Sequence, residues 1–187
     1  MSNPSSLLLD EQERRKWQNP EEVLAEIRLL PGMTFLDIGC GQGFFTIPAA
    51  ITVDKSGKIY ALDINRSNIE ILQEKVVSAG LTNVILEVGK AEDLILCKAC
   101  ADIVFFSIVL HDFANPGKVI SNARAMIKQS GKLIDLDWKK EPMTFGPPLH
   151  IRFDEEKAKH LIESNGFNVQ SIEKSGRYHY IITAVPQ

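Results

Sequence analysis

The sequence predicts a doubly wound α/β domain, and three observations carry the prediction. Short apolar runs alternate with stretches of helical apolar spacing along most of the chain. The first apolar run ends in a turn punctuated by Gly39, Gly41 and Gly43 that opens directly into a helical pattern. The second run, KIYALD, ends in an acid, Asp63, 20 positions beyond Gly43, where the second strand of a βαβ unit returns beside the first turn.

Each element follows from local signals. Residues 1–19 look unlike core and read as an N-terminal arm able to act as a lid, whereas residues 20–187 read as one domain. Asn19 as N-cap and Pro20 in the first turn predict a helix over residues 20–30. Strand one is Thr34–Ile38, followed by a helix over residues 43–52. Strand two is Lys58–Asp63, and the next helix covers residues 67–79, ended by Gly80. Strand three is Val84–Val88. Residues 102–107 form a fourth, continuously apolar strand, as expected when both faces are covered. A helix over 116–127 leads to strand five at 132–137, then to a proline- and aromatic-rich loop over 139–153. A helix over 154–165 stops at Gly166. Two β-like runs, 168–174 and 178–185, flank Ser175-Gly176-Arg177 and predict an antiparallel hairpin.

The glycine turn has the spacing G-x-G-x-G, which differs from the G-x-G-x-x-G of pyrophosphate-binding turns. Asp37 precedes it, and an acid there suits a ligand with a cationic amino group better than one with phosphates. Glycines in such a turn can also serve packing alone. Asp63 can accept hydrogen bonds from both hydroxyls of a ribose, or it can cap the helix that starts near Arg66. After strand three, Gly89-Lys90-Ala91-Glu92-Asp93-Leu94 places an acidic pair where an adenine amino group could be received.

Composition narrows the function classes. A chain of 187 residues, 44% hydrophobic, can bury one sizeable core. A net charge of −3 argues against nucleic acid as the main partner, so the Arg14-Arg15-Lys16 and Lys139-Lys140 clusters read as solvated surface. No stretch approaches the roughly 20 apolar residues of a membrane span, and no secretory signal is evident, so a cytoplasmic protein is expected. Cys40, Cys97 and Cys100 are expected as reduced thiols. A single C-x-x-C lacks the further ligands of a metal site, and none is predicted.

The motifs LDIGCGQG, YALDIN, GKAEDL, ADIVFFSIVLHDF and SGKLIDLDW occur in the order found in one family. Together they resemble class I S-adenosylmethionine-dependent methyltransferases, with the closest likeness to the small enzymes of ubiquinone/menaquinone-biosynthesis type. The resemblance covers residues 20–187. It implies a Rossmann-like, mostly parallel seven-stranded sheet of order 3-2-1-4-5-7-6 with strand seven antiparallel. It also implies S-adenosyl-L-methionine as cofactor, leaving S-adenosyl-L-homocysteine as product. By this likeness Asp37, Gly39, Gly41 and Gly43 lie along the cofactor's amino-acid part. Asp63 holds the ribose, Ile64 packs on adenine, Ala91 and Glu92 receive its edge, and Ser107 closes the site beneath the methyl.

Methyl transfer requires the nucleophile, methyl carbon and sulfur to be held nearly in line, with a base only where the nucleophile arrives protonated. His111, in SIVLHDF after strand four, is the candidate base. It could equally hydrogen-bond backbone or stack on the acceptor. Methylases of exocyclic amino groups on nucleic-acid bases carry Asn/Asp-Pro-Pro-Tyr/Phe where this chain has Ser107-Ile108-Val109-Leu110, which counts against that class. Trp17 and Trp138 offer aromatic walls, and His150 and Arg152 offer polarity toward an acceptor, although packing or surface roles suit each of them too. With no inserted lid domain, the acceptor should be a small molecule, or be bound partly by a second subunit in a homo-oligomer. Two rivals stay open. One is a non-catalytic S-adenosylmethionine-binding regulatory domain, and the other an NAD(P)-dependent oxidoreductase.

Overall fold

The computed structural model describes residues 11–187, so the first ten residues of the arm lie outside the described part. Helix α1 (Glu11–Arg15) and helix α2 (Pro20–Glu26) precede a sheet of seven strands. These are β1 (Thr34–Ile38), β2 (Lys58–Asp63), β3 (Val84–Val88), β4 (Ala101–Ser107), β5 (Ile127–Trp138), β6 (Phe167–Ser175) and β7 (His179–Pro186). The order is β3-β2-β1-β4-β5-β7-β6, and β7 alone runs antiparallel to both of its neighbours. Helices α3 (Thr46–Val53), α4 (Arg66–Ser78), α5 (Pro116–Met126) and α6 (Glu155–Glu163) complete the layers.

Side-chain alternation in the central strands divides the core. Phe35, Ile103, Phe105, Ile134 and Leu136 face α2 and α3, while Leu36, Ile38, Val104, Phe106 and Leu133 face α5 and α6. All ten are essentially unexposed. Burying each such side chain stabilises the fold by about 1.5–3 kcal/mol, which is why β4 tolerates no polar residue between Ile103 and Phe106. Because successive residues point to opposite faces, Asp37 falls on the α3 side and Asp135 and Asp137 on the α5 side.

Differences from the sequence reading have local causes. The second helix stops at Glu26 because Arg28 adopts a left-handed conformation, φ 53°. The third begins at Thr46, not at residue 43, since Gly43 at φ 88° cannot be helical. Chain from α5 enters β5 with no loop, so that Ile127 already pairs with Ala101 before a bulge resets the register at Lys132. Cys97 and Cys100, expected as thiols, are joined as a disulfide, leaving Cys40 free and buried. Backbone bonds from Ala99 to Ala125 and from Cys100 to Met126 dock that loop and bring the two Cα atoms within 6.0 Å. Among the described residues no helix is long and apolar enough to cross a membrane.

Candidate functional site

Strand order reverses between β1 and β4: the chain builds β2 and β3 to one side of β1, then β4 and β5 to the other. The crevice outside the carboxyl ends of these strands is where an open α/β sheet takes ligands. The glycine turn forms its floor. Gly39 and Cys40 both donate their N–H to the carbonyl of Leu62, at 2.7 and 3.0 Å, stitching the turn to the end of β2. A Cβ on Gly39 would lie 2.6 Å from Val109, so only glycine lets the loop after β4 close over the turn. Beside Gly41 nothing among the described residues lies within 4 Å of where a Cβ would stand, which leaves this side of the turn open to a ligand.

Asp63 is built into this floor. One carboxylate oxygen accepts from Gly41 N–H at 2.8 Å and the other from Asn65 N–H at 2.8 Å, while Asn65 itself caps α4. The carboxylate is thereby aimed at the cleft beside the glycine turn. Asp37 is buried on the other side of the turn and accepts from the Thr46 hydroxyl at 2.6 Å. Burial drives its carboxyl pKa up to about 6, against the pull of the Thr46 hydrogen bond and the Arg14 cation. It therefore stands ready as a charge that only a cationic ligand group would fully compensate.

A cleft of about 470 Å³ opens along the ends of β2 and β3 and beneath the loop after β4. Ile64 contributes to its wall and is 65% exposed, an apolar surface free for a flat ring. Ala91 and Glu92 line the far end. Their carbonyls are pinned at 2.9 and 2.8 Å by the amide of Asn122, a buried residue of α5 that sequence reasoning missed. Among the described residues four carboxylates, Asp63, Glu92, Asp93 and Asp112, line the cleft against one cation, Lys90. Such a lining opposes phosphates and favours a positively charged ligand.

Across the crevice, the end of β4 makes a strained turn. Ile108 is left-handed at φ 52°, a conformation that β-branched residues rarely adopt, and its N–H bonds the Leu136 carbonyl at 2.6 Å. The turn sends a short 3₁₀ segment, Leu110–Asp112, over the crevice. His111 on this segment places Nδ1 2.8 Å from Asp137 Oδ2, at the end of β5. The second Asp137 oxygen accepts from Trp138 N–H at 2.7 Å. With Nδ1–H donated to Asp137, Nε2 faces the other acid, Asp112, whose Oδ1 lies 3.5 Å away, and the ring is buried between the two. Burial works against a charged His111, but the hydrogen bond and charge of Asp137 outweigh it and raise the ring's pKa above its usual value. Asp137 carried a signal in the sequence, since an acid also stands near or at the end of β1 and of β2.

The residues expected around an acceptor divide. Trp17 and Trp138 meet at 5.3 Å between ring centroids, joined by Phe145 and His179, in a wall formed by the arm, the loop after β5 and the adjoining ends of β5 and β7. Trp138 is buried, so it packs this wall more than it offers a face. His150 lies on the surface. Arg152 departs from the expectation of an anion contact: it is 3% exposed and donates to the carbonyls of Pro147, Lys139, Glu141 and Phe145. Its guanidinium holds the 139–152 loop in shape, and no composition signal distinguishes that task from ligand binding. Ser107 does sit at the crevice, yet its hydroxyl accepts from Arg14, a residue read as solvated surface. Among the described residues no group of three or more His, Cys, Asp or Glu could hold a metal ion.

The residues present fit the cofactor implied by the motifs. Asp63 offers paired acceptors for a diol, open space lies over Gly41, Ile64 offers an apolar wall, and the acidic lining suits a sulfonium.

Comparison with known proteins agrees with the geometry. Residues 29–183 match a family model described as a methyltransferase domain. A solved structure of an S-adenosylmethionine-dependent methyltransferase from Aquifex aeolicus is 30% identical with a TM-score of 0.92, each chain covering 100% of the other. A demethylmenaquinone methyltransferase from Bacillus velezensis is 27% identical over 72% of this chain and 57% of its own. A ubiquinone/menaquinone biosynthesis C-methyltransferase from Hydrogenovibrio crunogenus is 29% identical over 67% of this chain and 49% of its own. The chain thus spans about half the length of these curated relatives.

Proposed function

Because this chain belongs to the class I S-adenosylmethionine-dependent methyltransferases, we propose that it transfers the cofactor's methyl group to a small-molecule acceptor seated over the ends of β4 and β5. The observation that carries this reading is the acid-lined cleft at the sheet's switch point, with Asp63 locked beneath Gly41 and open space above that glycine. When bound, the cofactor supplies a methyl group made electrophilic by the adjoining sulfonium. The chain's own residues do the holding. Asp63 receives the ribose hydroxyls, Ile64 covers the adenine plane, and Glu92 takes its edge from a loop that Asn122 keeps in place.

His111 is the base for an acceptor that arrives as a phenol, alcohol or thiol. Asp137 fixes the ring's tautomer and supports the positive charge that develops as Nε2 takes the proton. The aromatic wall of Trp17, Trp138 and Phe145 suits a planar acceptor. The relatives named as demethylmenaquinone and ubiquinone/menaquinone biosynthesis methyltransferases are consistent with this.

Calorimetric titration with S-adenosylmethionine, S-adenosylhomocysteine and NAD tests the reading. Micromolar binding of both adenosyl ligands and none of NAD is expected. Binding of NAD alone would replace the methyltransferase with an oxidoreductase, and failure of both adenosyl ligands in folded protein would overturn the assignment.

A further inference from the structure

Helix α3 joins β1 to β2, α4 joins β2 to β3, and α5 joins β4 to β5. The remaining link in this parallel part of the sheet, residues 89–100 between β3 and β4, has no helix of its own. Irregular connections of this length inside a compact domain commonly carry a function. Residues 89–93 wall the cleft, and the last part of the link holds the Cys97–Cys100 disulfide.

The whole segment is docked along α5. At the cleft end Asn122 holds the carbonyls of Ala91 and Glu92, and the N–H of Asn115 donates to Glu92 Oε1 at 3.3 Å. In the middle Leu94 and Leu96 pack into the core cluster that contains Val119, Ala123 and Met126. At the far end Ala99 donates to the Ala125 carbonyl at 3.0 Å and Cys100 to the Met126 carbonyl at 2.9 Å. Ala99, inside the disulfide ring, is left-handed at φ 44°, a conformation that alanine disfavours.

The bridge joins cysteines three positions apart. Stabilisation by a cross-link grows with the length of loop it closes, so a staple of this span contributes little to the fold as a whole. Its effect is local: it holds Ala99 in the disfavoured turn and keeps two N–H groups aimed at the end of α5. Both cysteines are half-buried, and Lys98 and Ala99 between them are exposed, which leaves the bridge open to an attacking thiolate.

We infer that Cys97 and Cys100 form a thiol–disulfide exchange site whose partner is a dithiol reductant, and that their redox state sets the affinity of the cleft for its adenosyl ligand. The second half of this inference rests on the reading of the cleft as the cofactor site. A partner thiolate attacks one sulfur, breaks the Cys97–Cys100 bond and forms a mixed disulfide. The partner's second thiol resolves it. Two electrons and two protons pass to the cysteine pair, and the partner leaves as a disulfide. Ala99 then returns to an ordinary conformation, the bonds to Ala125 and Met126 loosen, and the slack reaches Glu92 through a segment with no helix to absorb it. Oxidation tightens the same wall.

Alkylation of the unfolded chain, read by intact mass, reports the state: one reactive thiol, Cys40, when oxidised and three after dithiothreitol. Reduction should speed amide hydrogen exchange in residues 89–100 and leave β4 and β5 protected. It should weaken S-adenosylhomocysteine binding by about fivefold or more in calorimetry, and reoxidation should restore it. Because coupling is reciprocal, saturating S-adenosylhomocysteine should make the bridge harder to reduce in a glutathione buffer by the same factor. Cys97→Ser combined with Cys100→Ser should match the reduced chain and ignore dithiothreitol. A pair that glutathione disulfide fails to close, or exchange that reduction leaves unchanged, would overturn the proposal. Faster exchange with equal affinity would take Ala91 and Glu92 out of the cofactor site and the proposal with them. Binding in neither state would instead remove the cofactor reading of the cleft, and with it the proposed control of affinity.

Discussion

Asp37→Asn should stabilise this protein, and by an amount that depends on pH in a defined way. The Asp37 carboxyl is buried, and its pKa stands at about 6 against an unfolded value near 3.8. A carboxyl raised in the folded state favours folding in its protonated form. Its contribution is complete below about pH 3.8 and is lost as pH rises through about 6. The separation between those values corresponds to about 3 kcal/mol above neutrality. Asparagine is never ionised, and its carbonyl can still accept from the Thr46 hydroxyl. The stability difference between variant and wild type should therefore widen by about 2 kcal/mol between about pH 4.5 and about pH 7.5. For a chain of this size that is about 4–8 °C in Tm. Urea unfolding of both proteins at the two pH values reads it directly, and the other titrating groups cancel in the difference. A gap that stays constant with pH, or a variant less stable near pH 7.5, would refute the account of Asp37 as an uncompensated buried charge.

Three further outcomes are expected. His111 should titrate by NMR above its ordinary value, because the Asp137 pair outweighs burial; Asp137→Asn should move it downward, and an unmoved ring would break the proposed pairing. Asp63→Asn should weaken S-adenosylhomocysteine binding by about 1–3 kcal/mol in calorimetry, since it halves the acceptors facing the ribose while the turn can still fold; unchanged affinity would remove Asp63 from the ribose site. Arg152→Met should cost about 2–4 kcal/mol in denaturant unfolding, as four carbonyls lose a charged donor, and a loss confined to ligand binding would return Arg152 to the acceptor site.

The sheet was legible because its signals are local. Continuous apolar runs fix the strands, and Gly39, Gly41 and Gly43 announce a turn that only positive φ permits. Asp63 was legible because its distance from the glycines is set by one βαβ unit. Long-range partners were not. Arg14 looked like one of three surface cations because Ser107, its hydrogen-bond partner, is 93 residues away. Asp137 lies 26 residues from His111, and only the pairing of β4 with β5 brings them together. Arg152 carries the residue type of an anion site and the surroundings of a structural clamp. Nothing in the spelling of residues 139–152 separates those roles, since the carbonyls it binds belong to every sequence.

The balance of four carboxylates against one lysine in the cleft bears on turnover as well as on recognition. Methyl donation converts a sulfonium into a neutral thioether, so the spent cofactor leaves one positive charge lighter than it arrived. A negative cleft thereby loses part of its hold at the moment the reaction is complete. Exchange of product for fresh donor is favoured without any moving part. The preference is Coulombic and partly exposed to solvent, so it should fade as salt shortens the screening length toward about 8 Å at physiological ionic strength. The acids that favour a charged donor thus also disfavour its neutral product.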